Sequence, residues 1–125
     1  MSMVLDHTIV PVQDPEATVR FYTSILGMRD GGTVGQFSVV YVNDALTLDF
    51  RAAEEIQSRH FAFAMDADEF ETVFQRIKDA GLAYGDSPWS VGNMQGPGRT
   101  HGARGQGKAV YFRDPSDHLL EIKTY

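Results

Sequence analysis

The sequence predicts an α+β protein built from two similar strand–helix–strand units that follow one another along the chain. Two observations lead to this prediction. A β-rich segment followed by a capped amphipathic helix occurs twice, and each leading segment contains a histidine. His7 precedes its helix-ending Gly27 by almost the same distance as His60 precedes Gly81. The chain therefore resembles an internal duplication.

In the first half, LDHTIVPV (Leu5–Val12) alternates and is β-rich, which predicts a strand. Asp14 and Pro15 then supply an N-cap and a proline at the first helical position, and the helix is predicted to end at Gly27. The two strands expected next are QFSVVYV and ALTLDF, at residues 36–42 and 45–50.

The second half repeats this plan. RHFAFAM (Arg59–Met65) predicts a strand, and Asp66 with Glu69 forms a capping-box pattern at the start of a helix with one apolar stripe. Two late strands, KAVYF and HLLEI, are expected on either side of a DPSD turn. The boundary between the halves is expected near residues 52–58.

The whole chain, 1–125, is predicted to form one domain, with a first module of about 1–54 and a second of about 55–125. Neither module could bury its own sheet face alone, and 125 residues with 42% hydrophobic content suffice for one core. The net charge of −6 argues against nucleic acid or an anionic membrane as a partner. The lack of cysteine excludes a catalytic thiol. With no signal-peptide or membrane-spanning pattern, a cytoplasmic location is expected.

Strand alternation places His7, His60 and Glu121 in mid-strand, each on the sheet face that the helices are not expected to cover. The open face around His60 carries the small residues Ala62 and Ala64, which leave room for a ligand. Two imidazoles and a carboxylate suit a divalent metal with open coordination positions. The same side chains could instead be satisfied strand histidines and a solvated edge charge, and alternation alone leaves both interpretations open.

The segments LDHTIVPVQDPEATVRFYTSILGM, RHFAFAMD and YFRDPSDHLLEI resemble the vicinal oxygen chelate superfamily. That superfamily includes glyoxalase I, extradiol dioxygenases, fosfomycin-modifying thiol transferases and bleomycin-binding proteins. The resemblance covers nearly the whole chain. It implies paired βαβββ modules that form an open, cup-shaped mixed sheet with the helices on its outer face, in a homodimer. It also implies a metal bound by His7, His60 and Glu121, with Fe(II) favoured and Mn, Ni or Zn as alternatives.

A finer similarity concerns ring-cleaving extradiol dioxygenases, in which a histidine, a loop, a strand tyrosine, a turn and the ligand glutamate follow in order. His101, Tyr111 and Glu121 have this order. The similarity implies acid–base catalysis by His101 and a hydrogen bond from Tyr111 to a small-molecule substrate. Two departures are a longer loop after His101 and Asp117 at a turn position where a glycine with positive φ is usual. The first-half acid–base histidine of those enzymes has no evident counterpart.

Three other functions stay open. A glyoxalase I-type isomerase, similar to lactoylglutathione lyase, would take a fourth ligand from the first-half sheet. Asp49 lies on the appropriate face, although it is shorter than the usual glutamate, and it is also a candidate substrate-binding residue. A thiol transferase acting on fosfomycin would share the three ligands, but Ile9 replaces a polar threonine. A drug- or metabolite-binding protein of the bleomycin-resistance type would generally lack the ligands that this chain keeps.

The glycine-rich stretch GPGRTHGARGQGKAVYF (Gly96–Phe112) contains a near match to the phosphate-loop pattern G-x-x-x-x-G-K-[ST]. A phosphate loop opens a helix, whereas this stretch leads into a strand and has Ala109 in place of Ser or Thr. We therefore predict a flexible basic lid with His101 at its tip. The local excess of cations is consistent with a solvated basic loop, the commoner case, and also with an anionic substrate, for which the candidate binding residues are Arg99, Arg104, Lys108 and Arg113.

Overall fold

The computed structural model describes residues 2–125, and the chain divides into two compact units, Met1–Gln57 and Ser58–Tyr125. The division falls between residues 57 and 58; the organisation as one domain with modules of about 1–54 and 55–125 stays a prediction. Each unit combines one helix with one open mixed β-sheet, which confirms the predicted α+β class. In the part of the chain that the structure describes, neither helix is long and apolar enough to cross a membrane.

The first unit has the βαβββ order that the family resemblance implies. Its elements are β1 (His7–Val12), α1 (Pro15–Ser24), β2 (Arg29–Val34), β3 (Phe37–Tyr41) and β4 (Thr47–Ala52). The strands lie in the order β1-β4-β3-β2, with β1 parallel to β4 and the other pairs antiparallel. Val10 and Val12 are fully buried while His7 and Ile9 are exposed, as the alternation predicts.

The second unit follows the same plan with one additional strand. Its elements are β5 (His60–Ala64), α2 (Ala67–Asp79), β6 (Tyr84–Gly85), β7 (Gly98–Gly102), β8 (Gly105–Arg113) and β9 (Leu119–Thr124). The strand order is β5-β9-β8-β6, β5 is parallel to β9, and β7 pairs with β8. Strands β5, β9, β8 and β6 therefore correspond to β1, β4, β3 and β2, and β7 has no counterpart in the described part of the first unit.

Aspartate caps begin both helices at the predicted positions. Asp14 Oδ1 accepts a hydrogen bond from the Ala17 amide at 3.1 Å, and Asp66 Oδ1 accepts one from the Glu69 amide at 2.8 Å. Such a cap contributes about 1 kcal/mol to stability. The short polar side chains thus fix where each helix leaves its leading strand.

Residues 98–107 of the glycine-rich stretch, predicted to belong to a flexible lid, form β7 and the beginning of β8 in a β-hairpin, and the predicted strand KAVYF continues β8. The prediction of irregular structure for residues 98–107 was wrong because glycines in this segment serve close packing. A Cβ on Gly102 would collide with the hydroxyl oxygen of Tyr125, and a Cβ on Gly107 would lie 2.6 Å from the carbonyl oxygen of Thr124. Glycine in a strand can mark such a close approach rather than mobility.

The turn that precedes β9 is held by buried side chains. Asp114 Oδ1 accepts hydrogen bonds from the amides of Ser116 and His118, each at 2.9 Å. His118 Nδ1 accepts one from the Arg59 amide at 3.0 Å. Asp117 has φ of 64°, the positive value expected at this position. These bonds tie the start of β9 to the start of β5 and so help to fix the register of the two strands.

Candidate metal centre

His60 and Glu121 face each other across neighbouring strands of the second unit. The parallel register of β5 and β9 pairs His60 with Leu119 and Ala62 with Glu121. His60 Nε2 lies 3.2 Å from Glu121 Oε1. The histidine side chain is 47% exposed and the glutamate side chain 6% exposed, so the pair joins a buried carboxylate to a ring that solvent reaches.

The second ring nitrogen of His60 decides what can lie between these two groups. Nδ1 is 3.0 Å from the carbonyl oxygen of Leu119, and because a carbonyl can only accept, Nδ1 carries the hydrogen. In the neutral ring, Nε2 is then a bare acceptor facing an oxygen of Glu121. That arrangement is repulsive unless a cation, either a proton or a metal ion, lies between them. Metal-bound histidines are commonly oriented by such a bond, so the donor set fits a divalent cation.

His7 is arranged similarly in the first unit. Its Nδ1 lies 2.7 Å from Asp6 Oδ2, which leaves Nε2 available to a ligand. This hydrogen bond is the main reason that the pKa of His7 is raised, and the charge of Asp49 adds to it. Asp49 is paired with Ile9, two residues beyond His7, so it lies on the same sheet face as His7, and it accepts a hydrogen bond from the Thr47 hydroxyl at 2.8 Å.

Tyr111 lies beside the His60–Glu121 pair. It is directly opposite Glu121 in the β8–β9 register, and its ring stacks on His60 with a centroid separation of 6.3 Å. Burial raises the pKa of Tyr111; a hydrogen bond with Thr100 opposes this shift and the Glu121 charge adds to it. Tyr111 is therefore a neutral phenol at neutral pH and has a hydrogen to donate.

A cavity of about 350 Å³ opens beside the pair. His60 and Glu121 line it, together with Ala62 and Ala64, whose small side chains leave the space that the sequence predicted. His101 lies on β7 next to the hairpin turn, lines the same cavity and is exposed. The second unit thus brings a proposed acid–base histidine to the same space as two proposed ligands.

The predicted substrate-binding cations are distributed along the hairpin. Arg104 lines the cavity, and its guanidinium carbon lies 4.6 Å from the centre of the Tyr125 ring. Arg99 and Lys108 are cross-strand neighbours that line an adjacent cavity. Arg113, at the opposite end of β8, donates from Nη1 to the carbonyl oxygen of Asp117 at 2.9 Å.

Sequence reasoning did not assign a role to Lys123 or Thr100. Lys123 is buried and lines the cavity, and its Nζ donates to both oxygens of Thr100, each at 2.8 Å. Alternation places Lys123 on the same strand face as Glu121, and this pattern could have indicated that Lys123 belongs to the site. Its burial depends on β7, which the sequence did not predict.

The predicted ligands are divided between the two units. His60 and Glu121 belong to the second unit, and His7 belongs to the first. Within residues 2–125, neither unit by itself gathers three or more histidine, aspartate or glutamate side chains that could hold a metal ion. The combination of all three ligands stays a prediction.

Duplicated βαβββ units, with a histidine on each first strand and a carboxylate on the last, define a class of small α+β proteins. The family described as the Glyoxalase/Bleomycin resistance protein/Dioxygenase superfamily matches residues 4–122, and the chain belongs to this superfamily.

Relatives within this superfamily include an oxidase and fosfomycin-related proteins. The solved structure of Oxidase ChaP-H2 is 35% identical in sequence, with a TM-score of 0.85 over 100% of this chain and 95% of that chain. Metallothiol transferase FosB of Shouchella clausii (strain KSM-K16) is 24% identical, over 96% of this chain and 79% of its own length. Fosfomycin resistance protein FosX of Listeria innocua serovar 6a (strain ATCC BAA-680 / CLIP 11262) is 27% identical, over 94% and 86%.

Proposed function

We propose that the protein is a divalent-metal-dependent enzyme with extradiol-dioxygenase-like chemistry, acting on a small anionic substrate that carries two adjacent oxygen atoms. The observation that carries this proposal is the pair of His60 Nε2 and Glu121 Oε1, two groups 3.2 Å apart that need a cation between them. The higher identity to an oxidase, 35%, than to a thiol transferase, 24%, favours oxidation over thiol transfer.

His7, His60 and Glu121 would hold the ion. A bound ion would supply adjacent positions for two substrate oxygens and, as the favoured Fe(II), a further position for O₂. Both histidines have Nδ1 engaged in a hydrogen bond, which leaves Nε2 as the nitrogen that can bind a metal and supports their assignment as ligands. Mn, Ni and Zn are the alternative ions, and a homodimer is the proposed assembly.

The remaining cavity residues would orient the substrate and move its protons. Tyr111, kept neutral by burial, would donate a hydrogen bond to a substrate oxygen. His101 would accept and return a proton at the exposed side of the cavity. Arg104 would pair with an anionic group of the substrate. Ala62 and Ala64 leave room for the substrate ring.

Metal analysis and oxygen uptake test this proposal. Protein purified without chelator should bind Fe(II) stoichiometrically, and His60→Ala should lose the ion. His101→Ala is the matched control, because it changes another cavity histidine: it should retain the ion and lose turnover. Oxygen uptake is expected with catechols, and more efficiently with a carboxylated catechol than with a neutral one. Equal metal occupancy in wild type and His60→Ala would refute the ligand set.

A glyoxalase-type isomerase is the second candidate, favoured by the position of Asp49 on the sheet face of His7. In that case Asp49 would act as a fourth ligand, and the ion would polarise a carbonyl for proton abstraction at the neighbouring carbon. Isomerisation consumes no O₂. Turnover of a thiol adduct of a 2-oxoaldehyde without oxygen uptake would therefore select the isomerase, and ligand binding without metal or turnover would select a binding protein.

A further inference from the structure

Lys123 is a buried cation to which the proposed reaction assigns no role. It lies on β9 two residues after Glu121, so the two side chains share one face of the strand. The Lys123 side chain is 4% exposed, and its Nζ is 3.7 Å from Glu121 Oε2. It also donates to the carbonyl and the hydroxyl oxygen of Thr100, each at 2.8 Å. Burying an ammonium group costs free energy unless it is paired and hydrogen-bonded, so Lys123 depends on Thr100 and Glu121 to offset that cost.

Thr100 connects Lys123 to Glu121. Its hydroxyl oxygen accepts a hydrogen bond from Lys123, so the hydroxyl hydrogen is available for Glu121 Oε2 at 3.3 Å. The two oxygens of Glu121 consequently have different surroundings. Oε2 faces the hydroxyl and the ammonium, whereas Oε1 faces Nε2 of His60.

We propose that Lys123 and Thr100 are positioning residues that form a clamp on Oε2 of Glu121 and leave Oε1 alone to bind the metal ion. This inference rests on the proposed function, because it takes Glu121 as a ligand. A carboxylate that bound through both oxygens would fill one more coordination position. The clamp therefore keeps that position for the substrate.

The first unit lacks this arrangement at the equivalent positions. The β1–β4 and β5–β9 registers equate Asp49 with Glu121 and Arg51 with Lys123. Arg51 is exposed, and Asp49 takes its hydrogen bond from Thr47 of its own strand. The cation is buried where β7 supplies Thr100, so the clamp is a property of the hairpin rather than of the repeated sequence pattern.

Cobalt binding to purified apoprotein tests the clamp, because visible absorption of Co(II) weakens as its coordination number rises. Thr100→Val removes the hydroxyl at nearly constant volume. Loss of this supporting hydrogen bond should weaken Co(II) binding about tenfold. The freed Oε2 can then coordinate as well, and the higher coordination number should lower the molar absorptivity of the bound ion. Thr100→Ser keeps the hydroxyl and should restore both values.

Lys123→Met is the second variant, and Lys78→Met, on the exposed side of α2, is its matched control. Lys123→Met should change the Co(II) spectrum in the same direction as Thr100→Val, and Lys78→Met should not. If both clamp variants keep the wild-type spectrum and affinity, even with a lowered unfolding temperature, the clamp is overturned. If His60→Ala binds Co(II) as wild type does, the proposed metal site fails as well. Should Lys123→Met not fold, the two Thr100 variants decide the outcome.

Discussion

The two units carry a histidine and a carboxylate at equivalent positions and surround them differently. His7 is exposed and bonded to its own sequence neighbour, whereas His60 is bonded to the backbone of an adjacent strand. Asp49 is half-buried, while Glu121 is buried and directed at its histidine. The second unit differs from the first by the added strand β7 and by the one additional methylene of Glu121 relative to Asp49. The repeated pattern thus provides similar residues twice, but local tertiary structure decides which histidine–carboxylate pair is preorganised.

The largest expected difference between the units concerns their carboxylates. Glu121→Gln should weaken Zn(II) binding by more than about 100-fold, because loss of a ligand costs more than the roughly 10- to 100-fold loss typical of residues that only hydrogen-bond to a ligand. Asp49→Asn should leave Zn(II) binding nearly unchanged. Competition with a chromophoric chelator measures both constants. Equal losses in the two variants would make Asp49 a ligand and favour the isomerase.

The hairpin that distinguishes the second unit should be sensitive to added volume. Gly107→Ala should destabilise the protein by about 1–3 kcal/mol, because its Cβ would meet the backbone oxygen of Thr124, which cannot move aside as a side chain can. Gly102→Ala should cost less, since its Cβ meets the ends of the Tyr125 and Lys123 side chains. Urea unfolding monitored by circular dichroism compares them, and the reverse order would contradict this explanation of the glycines.

Substrate binding should distinguish an arginine of each unit. Arg104→Gln should raise KM for a carboxylated catechol by about fivefold, because an exposed ion pair contributes up to about 1 kcal/mol. Arg51→Gln should leave KM unchanged. Steady-state oxygen uptake gives both values. An equal rise with a neutral catechol would show that Arg104 does not act by pairing with an anion.

The smallest expected effect is a change in the titration of His7. Asp6→Asn should lower the raised pKa of His7 towards its ordinary value of 6.5, because the amide cannot compensate a positive ring as a carboxylate does. A metal ion binds only the neutral imidazole, so a ring with a lower pKa is available at lower pH. The onset of metal binding should therefore move to lower pH in Asp6→Asn. Two-dimensional NMR of the apoprotein measures the pKa directly. His60 is the internal control, and an unchanged His7 titration would contradict the assigned cause.

Local patterns predicted most of the framework. The caps Asp14 and Asp66 and the alternation around His7 depend on neighbours a few residues away, and the structure has them where the sequence indicated. The residue patterns did not predict strands β2, β6 and β7, because RDGGTV, YG and GRTHG contain glycines that locally favour turns. Pairing of β2 with β3, and of β6 and β7 with β8, supplies the hydrogen bonds that make these segments extended.

The sequence by itself therefore determined the two-unit α+β plan, the helix starts and the strand faces that carry His7, His60 and Glu121. Each of these follows from residue spacing, which is a local property. Only the tertiary structure decided that Glu121 and Lys123 are buried and that Tyr111 and Thr100 interact with the carboxylate. Those contacts join residues brought together by strand pairing across β7, β8 and β9, and the free energy of burying charged groups depends on what covers them rather than on their order in the chain.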